Sequence, residues 1–135
     1  MTLNDIRTDV KLVSIKDLYP HEETDPINFA VLLDKINQEG QWRIPLIIDR
    51  DTGIIMDGHH RYNVAAILGF SVVPCYEMSY LSEKVIILDW KTGAPFCYKR
   101  IIDYVKSGRV FPPKTTRHYF TEIFDAVRIN LNELY

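Results

Sequence analysis

The chain has 135 residues, an apolar fraction of 47% and a formal net charge of -2, which suits one domain with a real core rather than two. The slightly acidic balance argues against a protein whose main business is coating nucleic acid, although it leaves room for a local basic pocket. No run approaches the roughly eighteen consecutive apolar residues of a membrane-spanning helix.

The first five residues, Met1 to Asp5, carry neither a basic region nor an apolar stretch, which argues against a secretory signal. Lys11 to Ile15 reads as an edge-like strand, followed by a polar loop, Pro20-His21-Glu22-Glu23-Thr24. Asp25-Pro26 supplies a side-chain cap and a proline for the first helical turn. Phe29, Leu32, Leu33 and Ile36 then recur at helical spacing, and Gly40 can close that helix. Ile44 to Ile48 reads as a strand, Asp51-Thr52-Gly53 as a turn, and Ile54 to Met56 as a second short strand. A helix is predicted from His60 to Leu68, closed by Gly69. Val72 to Tyr76 reads as a strand in which Pro74 suggests an edge or irregular position.

The second half is less determined. Lys84 to Asp89 is apolar in its middle, and at this length periodicity does not separate strand from helix. Tyr98, Ile101, Ile102 and Val105 predict a helix stopped by Gly108. Tyr119, Phe120, Ile123, Phe124 and Val127 predict another buried helical face, with Lys114 to His118 at its mouth. The expected architecture is one mixed α+β domain over 1–135, with strands early and helices late. Cys75 and Cys97 lack metal-type spacing and read as free, buried thiols, and a cytoplasmic location is expected.

Two stretches concentrate chemistry. In Met56-Asp57-Gly58-His59-His60-Arg61 a strand ends in a glycine turn and reopens as a helix, whose first backbone N–H groups lack intrahelical partners. Such an end binds anions, and Arg61 can clamp a phosphate with two parallel hydrogen bonds. Asp57 suits an Mg²⁺ that accompanies a nucleotide. His59 and His60 are adjacent, so at most one is expected to face a ligand closely, the other packing or holding the loop. The second stretch, Lys114-Thr115-Thr116-Arg117-His118, places two cations, two hydroxyls and an imidazole behind Pro112-Pro113. Two separate cation clusters are expected to face one shared anion across a pocket. Glu22 and Glu23 in the early loop could supply a base for phosphoryl transfer. No Walker loop and no G-x-G-x-x-G occurs.

Asp57 to Ala65 resembles the Gly-x-His/Arg-Arg-x-x-Ala box of the ParB/sulfiredoxin-like fold, in which nucleotide phosphates sit on the strand–helix junction. Together with Pro20 to Glu23 and Phe111 to His118, the chain is similar to the free serine kinase branch of that fold, from about Val10 to Phe120. That resemblance implies a small mixed sheet flanked by helices and transfer of a phosphoryl group from ADP or ATP, with Mg²⁺, to free L-serine or a similar small hydroxy compound. It implies Glu22 as base, with Glu23 in reserve, and Asp57 assisting through the metal or the substrate hydroxyl. Gly58, His59, His60 and Arg61 would bind the transferred phosphate and its neighbour. Lys114, Thr115, Thr116, Arg117 and His118 would close over phosphate or the substrate carboxylate. Further domains and DNA-binding helices found in relatives are not expected, so neither a nucleic-acid partner nor a membrane is anticipated. The alternative within the fold is a ParB-like nucleotide-binding or hydrolysing switch without small-molecule transfer. Sulfiredoxin chemistry needs a reactive cysteine in the box, where this chain has His59.

Overall fold

The structure, a computed structural model, describes residues 6–135; the expectation about a secretory signal falls on residues outside the described ones. In chain order the elements are β1 (Ile6–Arg7), β2 (Lys11–Ser14), α1 (Pro26–Glu39), β3 (Gln41–Trp42), β4 (Leu46–Asp49), β5 (Ile55–Asp57), α2 (His59–Leu68), β6 (Val72–Met78), β7 (Val85–Asp89), α3 (Tyr98–Lys106), β8 (Thr116–Phe120), β9 (Ile123–Phe124) and β10 (Ile129–Asn130). The main sheet runs β2-β6-β4-β5, with β4 and β6 parallel and the other pairs antiparallel. β7 and β8 form a separate antiparallel ribbon. β1 pairs with β9 and β3 with β10, so the end of the chain is tied back to its early part.

The unbroken apolar run at Leu46 to Ile48 is explained by burial on both faces of the sheet. Leu46, Ile48 and Ile55 point into one core, with Trp42, Val64, Ala65, Phe70 and Val73, beneath α1 and α2. Their alternate neighbours Ile47, Ile54 and Met56 point into a second core, with Met78, Tyr80, Ile87, Ile101 and Phe111, beneath the β7–β8 ribbon and α3. The period-2 geometry of a strand thus feeds two hydrophobic cores from one sheet.

The first helix begins where the sequence places it. The Asp25 carboxylate accepts from the N–H groups of Ile27 and Asn28 at 2.8 and 3.3 Å, Pro26 occupies the first turn, and Gly40 closes the helix with φ 69°. Three expectations need correction. The segment after Pro113 is not a helix: Thr116 to Phe120 is strand β8, and β9 follows directly. Its apolar residues read as a helical face, yet Thr116, His118 and Phe120 turn inward while Arg117 and Tyr119 stay exposed, a period of two imposed by pairing with β7. Strands therefore occur late in the chain as well as early. Pro74 lies in a strand flanked on both sides, not at an edge; it is tolerated because the ladder with β4 begins only at Cys75. Cys75 is buried as expected, but Cys97 is exposed.

Candidate active site

The junction between β5 and α2 is built on a glycine. Gly58 has φ 102°, a conformation that L side chains rarely adopt, and a Cβ there would approach Leu46 Cδ2 to 2.6 Å. Gly58 is also the N-cap of α2 and offers no capping side chain. The first-turn amides of His59, His60 and Arg61 therefore remain available to an anion, with the positive end of the helix behind them. Arg61 is half-buried beside this opening; burial pulls its pKa below the ordinary guanidinium value and the Asp57 carboxylate opposes the change.

The imidazoles of the same turn hold the opposite wall in place. His59 Nε2 accepts from the His21 amide at 3.1 Å, and His60 Nε2 accepts from the Asp25 amide at 3.2 Å. In both rings Nδ1 is left as the nitrogen that can donate. Both histidines anchor the loop and both line the cleft.

That wall is no free loop. Tyr19 pairs with Ile54, and Phe111 exchanges bonds with the same segment, donating to the His21 carbonyl at 2.7 Å and accepting from the Glu23 amide at 2.8 Å. Glu22 is thereby aimed at the turn before β8. Its Oε1 accepts from the amides of Thr115 and Thr116 at 3.0 and 2.9 Å, and the Thr116 hydroxyl lies 3.3 Å from the same oxygen. Lys114, the one non-glycine residue with positive φ among the described residues (58°), bends the turn so that successive amides converge on this carboxylate. Burial raises the Glu22 pKa and the amide bonds restrain the rise. None of these hydrogen bonds falls on Oε2.

Three imidazoles pack behind Glu22. His21 lies with its ring centroid 4.5 Å from His59 and 5.2 Å from His118. Its Nδ1 donates to the Ile55 carbonyl at 2.7 Å, so its Nε2 is an acceptor, 3.0 Å from the Thr116 hydroxyl. His118 Nε2 sits 3.0 Å from the Tyr80 hydroxyl, which burial keeps protonated. Burial pushes the His21 pKa down to about 4 and that of His118 to about 3, and lowers that of His59 as well. All three rings are neutral at pH 7.

Together these groups enclose a cleft of about 430 Å³. Glu22, Asp57, Gly58, His59, His60, Arg61, Lys114, Thr116, Arg117 and His118 all line it, so residues from three distant stretches meet where a shared anion was expected. Thr115 does not line it. Its hydroxyl donates to the Pro112 carbonyl at 2.7 Å and its amide to Glu22, so it closes the turn instead of reaching a ligand. The helix-mouth argument for Lys114 and Arg117 also falls, because β8 is a strand. Arg117 is oriented by stacking over Trp90, 4.3 Å from the ring centroid. Sequence reasoning missed His21 and Trp90. The first is identifiable only by what its ring meets; the second reaches the cleft through β7–β8 pairing, its amide donating to Thr115 O at 3.0 Å.

Among the described residues no group of three or more His, Cys, Asp and Glu side chains is arranged to hold a metal ion. Asp57 ends β5 exposed, separated from the open amides by Gly58 alone. A single carboxylate beside these amides would fit a largely hydrated Mg²⁺ that takes its other ligands from a bound phosphate and water. No helix among the described residues is long and apolar enough to cross a membrane.

No protein-family model matches the chain. The chain is similar to an ATP-dependent L-serine kinase of Staphylothermus marinus, 30% identical over 99 residues that cover 70% of this chain and 39% of that protein. It is also similar to a ParB-like protein of Sulfolobus acidocaldarius, 33% identical over 84 residues, 58% of this chain and 39% of that protein. The matches thus span well under two thirds of the length of these curated relatives. Among solved structures, a free serine kinase in complex with AMP superposes with a TM-score of 0.86 at 15% identity, over 96% of this chain and 95% of that one. The fold is that of the free serine kinases, the α+β architecture that the sequence resemblance implied.

Proposed function

We propose that the chain, as one domain, transfers a phosphoryl group from ADP or ATP to the hydroxyl of free L-serine, forming O-phosphoserine. The observation that carries this reading is a carboxylate pinned through one oxygen by the Thr115 and Thr116 amides, sharing a cleft with an uncapped helix N-terminus. The name of the Staphylothermus relative supports the substrate.

In this reading the nucleotide phosphates lie on the amides of His59, His60 and Arg61, where the helix end and the guanidinium favour negative charge. The serine hydroxyl attacks the terminal phosphorus. An Oγ–P bond forms, the bridging P–O bond to the nucleotide breaks, and the hydroxyl proton passes to Glu22 Oε2. Burial makes Glu22 a stronger base than an exposed carboxylate. Arg61 and Arg117 offset the charge spread over the phosphoryl oxygens, and Nδ1 of His59 is available as a neutral donor. Asp57 would hold Mg²⁺ when the ion is bound, and the ion would neutralise phosphate charge there. The free, exposed Cys97 thiol supports a reducing, cytoplasmic setting.

The test is incubation with ADP or ATP, Mg²⁺ and a panel of free hydroxy amino acids, followed by phosphorus NMR. A new phosphomonoester resonance with L-serine is expected. Nucleotide binding without transfer to any hydroxyl compound would overturn the kinase in favour of a binding switch.

A further inference from the structure

The Thr116 hydroxyl has one proton and two acceptors. Glu22 Oε1 lies 3.3 Å away and His21 Nε2 lies 3.0 Å away. The His21 nitrogen is an obligate acceptor, because the other ring nitrogen donates to the Ile55 carbonyl. His21 is 1% exposed and Thr116 6%, so water does not compete for this proton. We propose that Thr116 and His21 are positioning residues that set the basicity of Glu22 through this shared hydroxyl, which donates to Glu22 while the carboxylate is ionised and turns to His21 once Glu22 is protonated.

The direction follows from hydrogen-bond chemistry. An ionised carboxylate is the stronger acceptor, since bonds to charged groups exceed those between neutral ones. When Glu22 takes up a proton on Oε2, Oε1 becomes a neutral carbonyl oxygen, and the nearer imidazole then attracts the hydroxyl. The hydroxyl rotates without transferring its proton, so no charge moves along the chain. Thr116 lowers the Glu22 pKa by stabilising the anion. His21 raises it by offering the hydroxyl an alternative in the protonated state. The two residues therefore act on Glu22 with opposite sign.

The other groups around the cleft do not supply this effect. Glu23, Asp25 and Asp57 are acidic and Arg61, Lys114 and Arg117 are cationic, and none of them donates a side-chain hydrogen bond to Glu22. Burial lowers the pKa of His59 and His118, like that of His21, below the ordinary imidazole value, so none of the three rings places a full charge beside Glu22 near neutral pH.

The test does not depend on turnover. Protein labelled with ¹³C at the glutamate δ-carbon is titrated without substrate, and the Glu22 resonance is identified by its loss in Glu22→Gln. Thr116→Val keeps the backbone amide bond to Oε1 and removes the hydroxyl; the Glu22 midpoint should rise by about one pH unit. Thr116→Ser should restore it. His21→Phe should lower the midpoint, and in the Thr116→Val background it should have no further effect. An unchanged midpoint in Thr116→Val, or a shift that serine fails to reverse, overturns the proposal; if His21→Phe does not fold, the Thr116 pair decides alone. The proposal takes its catalytic meaning from the kinase reading. A shifted midpoint in a protein without transferase activity would retire that reading and leave the hydroxyl coupling standing, whereas activity with an unmoved midpoint would do the reverse.

Discussion

The two walls of the cleft use the same device, converging backbone amides, in opposite ways. At the start of α2 the amides are left open, because Gly58 provides no side chain to cap them. At the turn before β8 they are already filled, because Glu22 occupies them. An open set of amides binds an incoming anion; a filled set fixes the orientation of a resident one. In the proposed reading, this difference separates a binding wall from a reacting wall without any change in backbone chemistry. It also explains why both walls carry cations yet tolerate a half-buried carboxylate between them.

The largest test of that division is Glu22→Gln. If the filled wall serves the reaction, kcat falls by roughly 10²–10⁴-fold while nucleotide affinity, measured by calorimetry, stays within a few-fold. Glu23→Gln should leave kcat nearly unaltered, since no hydrogen bond orients its carboxylate. Equal loss of affinity and turnover in Glu22→Gln would merge the two walls into one anion site.

The histidines behind Glu22 give the next effect, on stability. Their folded pKa values lie below the ordinary value of 6.5, so between about pH 6.5 and 4 the unfolded chain binds more protons than the folded one. Stability therefore rises with pH through this window and is lost as the pH falls through it. For His21 the loss from pH 7 to 4.5 is on the order of 2 kcal/mol, read from urea unfolding at the two values. His21→Phe should flatten that dependence, and an unchanged slope would mean that the ring is not held neutral.

Gly58→Ala attacks the open wall. The added Cβ meets Leu46 and forces a strained φ, which should cost roughly 1–3 kcal/mol of stability. Because the first-turn amides move, nucleotide affinity should fall more than kcat at saturation. Loss of kcat alone would reverse the assignment of the two walls. The smallest effect is expected from Lys114→Gly. Glycine accepts the positive φ that converges the amides on Glu22, so stability should change by no more than about 1 kcal/mol and kcat should hold. Any loss should fall on KM, through the missing ammonium group. A collapse of kcat would give the side chain the role assigned here to the backbone.

Much of the binding wall was legible locally. Gly58 between a strand and a helix, Arg61 in the first turn, and Asp25-Pro26 capping α1 each act over a few residues, so spacing alone identified them. The same reasoning failed after Pro113. Tyr119, Phe120, Ile123 and Phe124 suit a helical face in isolation, and only pairing with β7 for the first two and with β1 for the last two makes them strands. Thr115 failed for a related reason, because its hydroxyl is consumed by the turn. Cys97 is exposed although composition suggests a buried thiol, because composition does not place a side chain on a surface.

Sequence by itself determined the mixed architecture, the uncapped helix end and the types of residue that meet around the cleft, because turns, caps and periodicity are short-range physics. Tertiary structure alone decided that Glu22 fills the amides of Thr115 and Thr116, that His21 stands behind it, and that Trp90 carries Arg117. Those contacts join residues up to 95 positions apart. Their geometry depends on sheet pairing and on which face of β5 each core claims, and no local pattern encodes either.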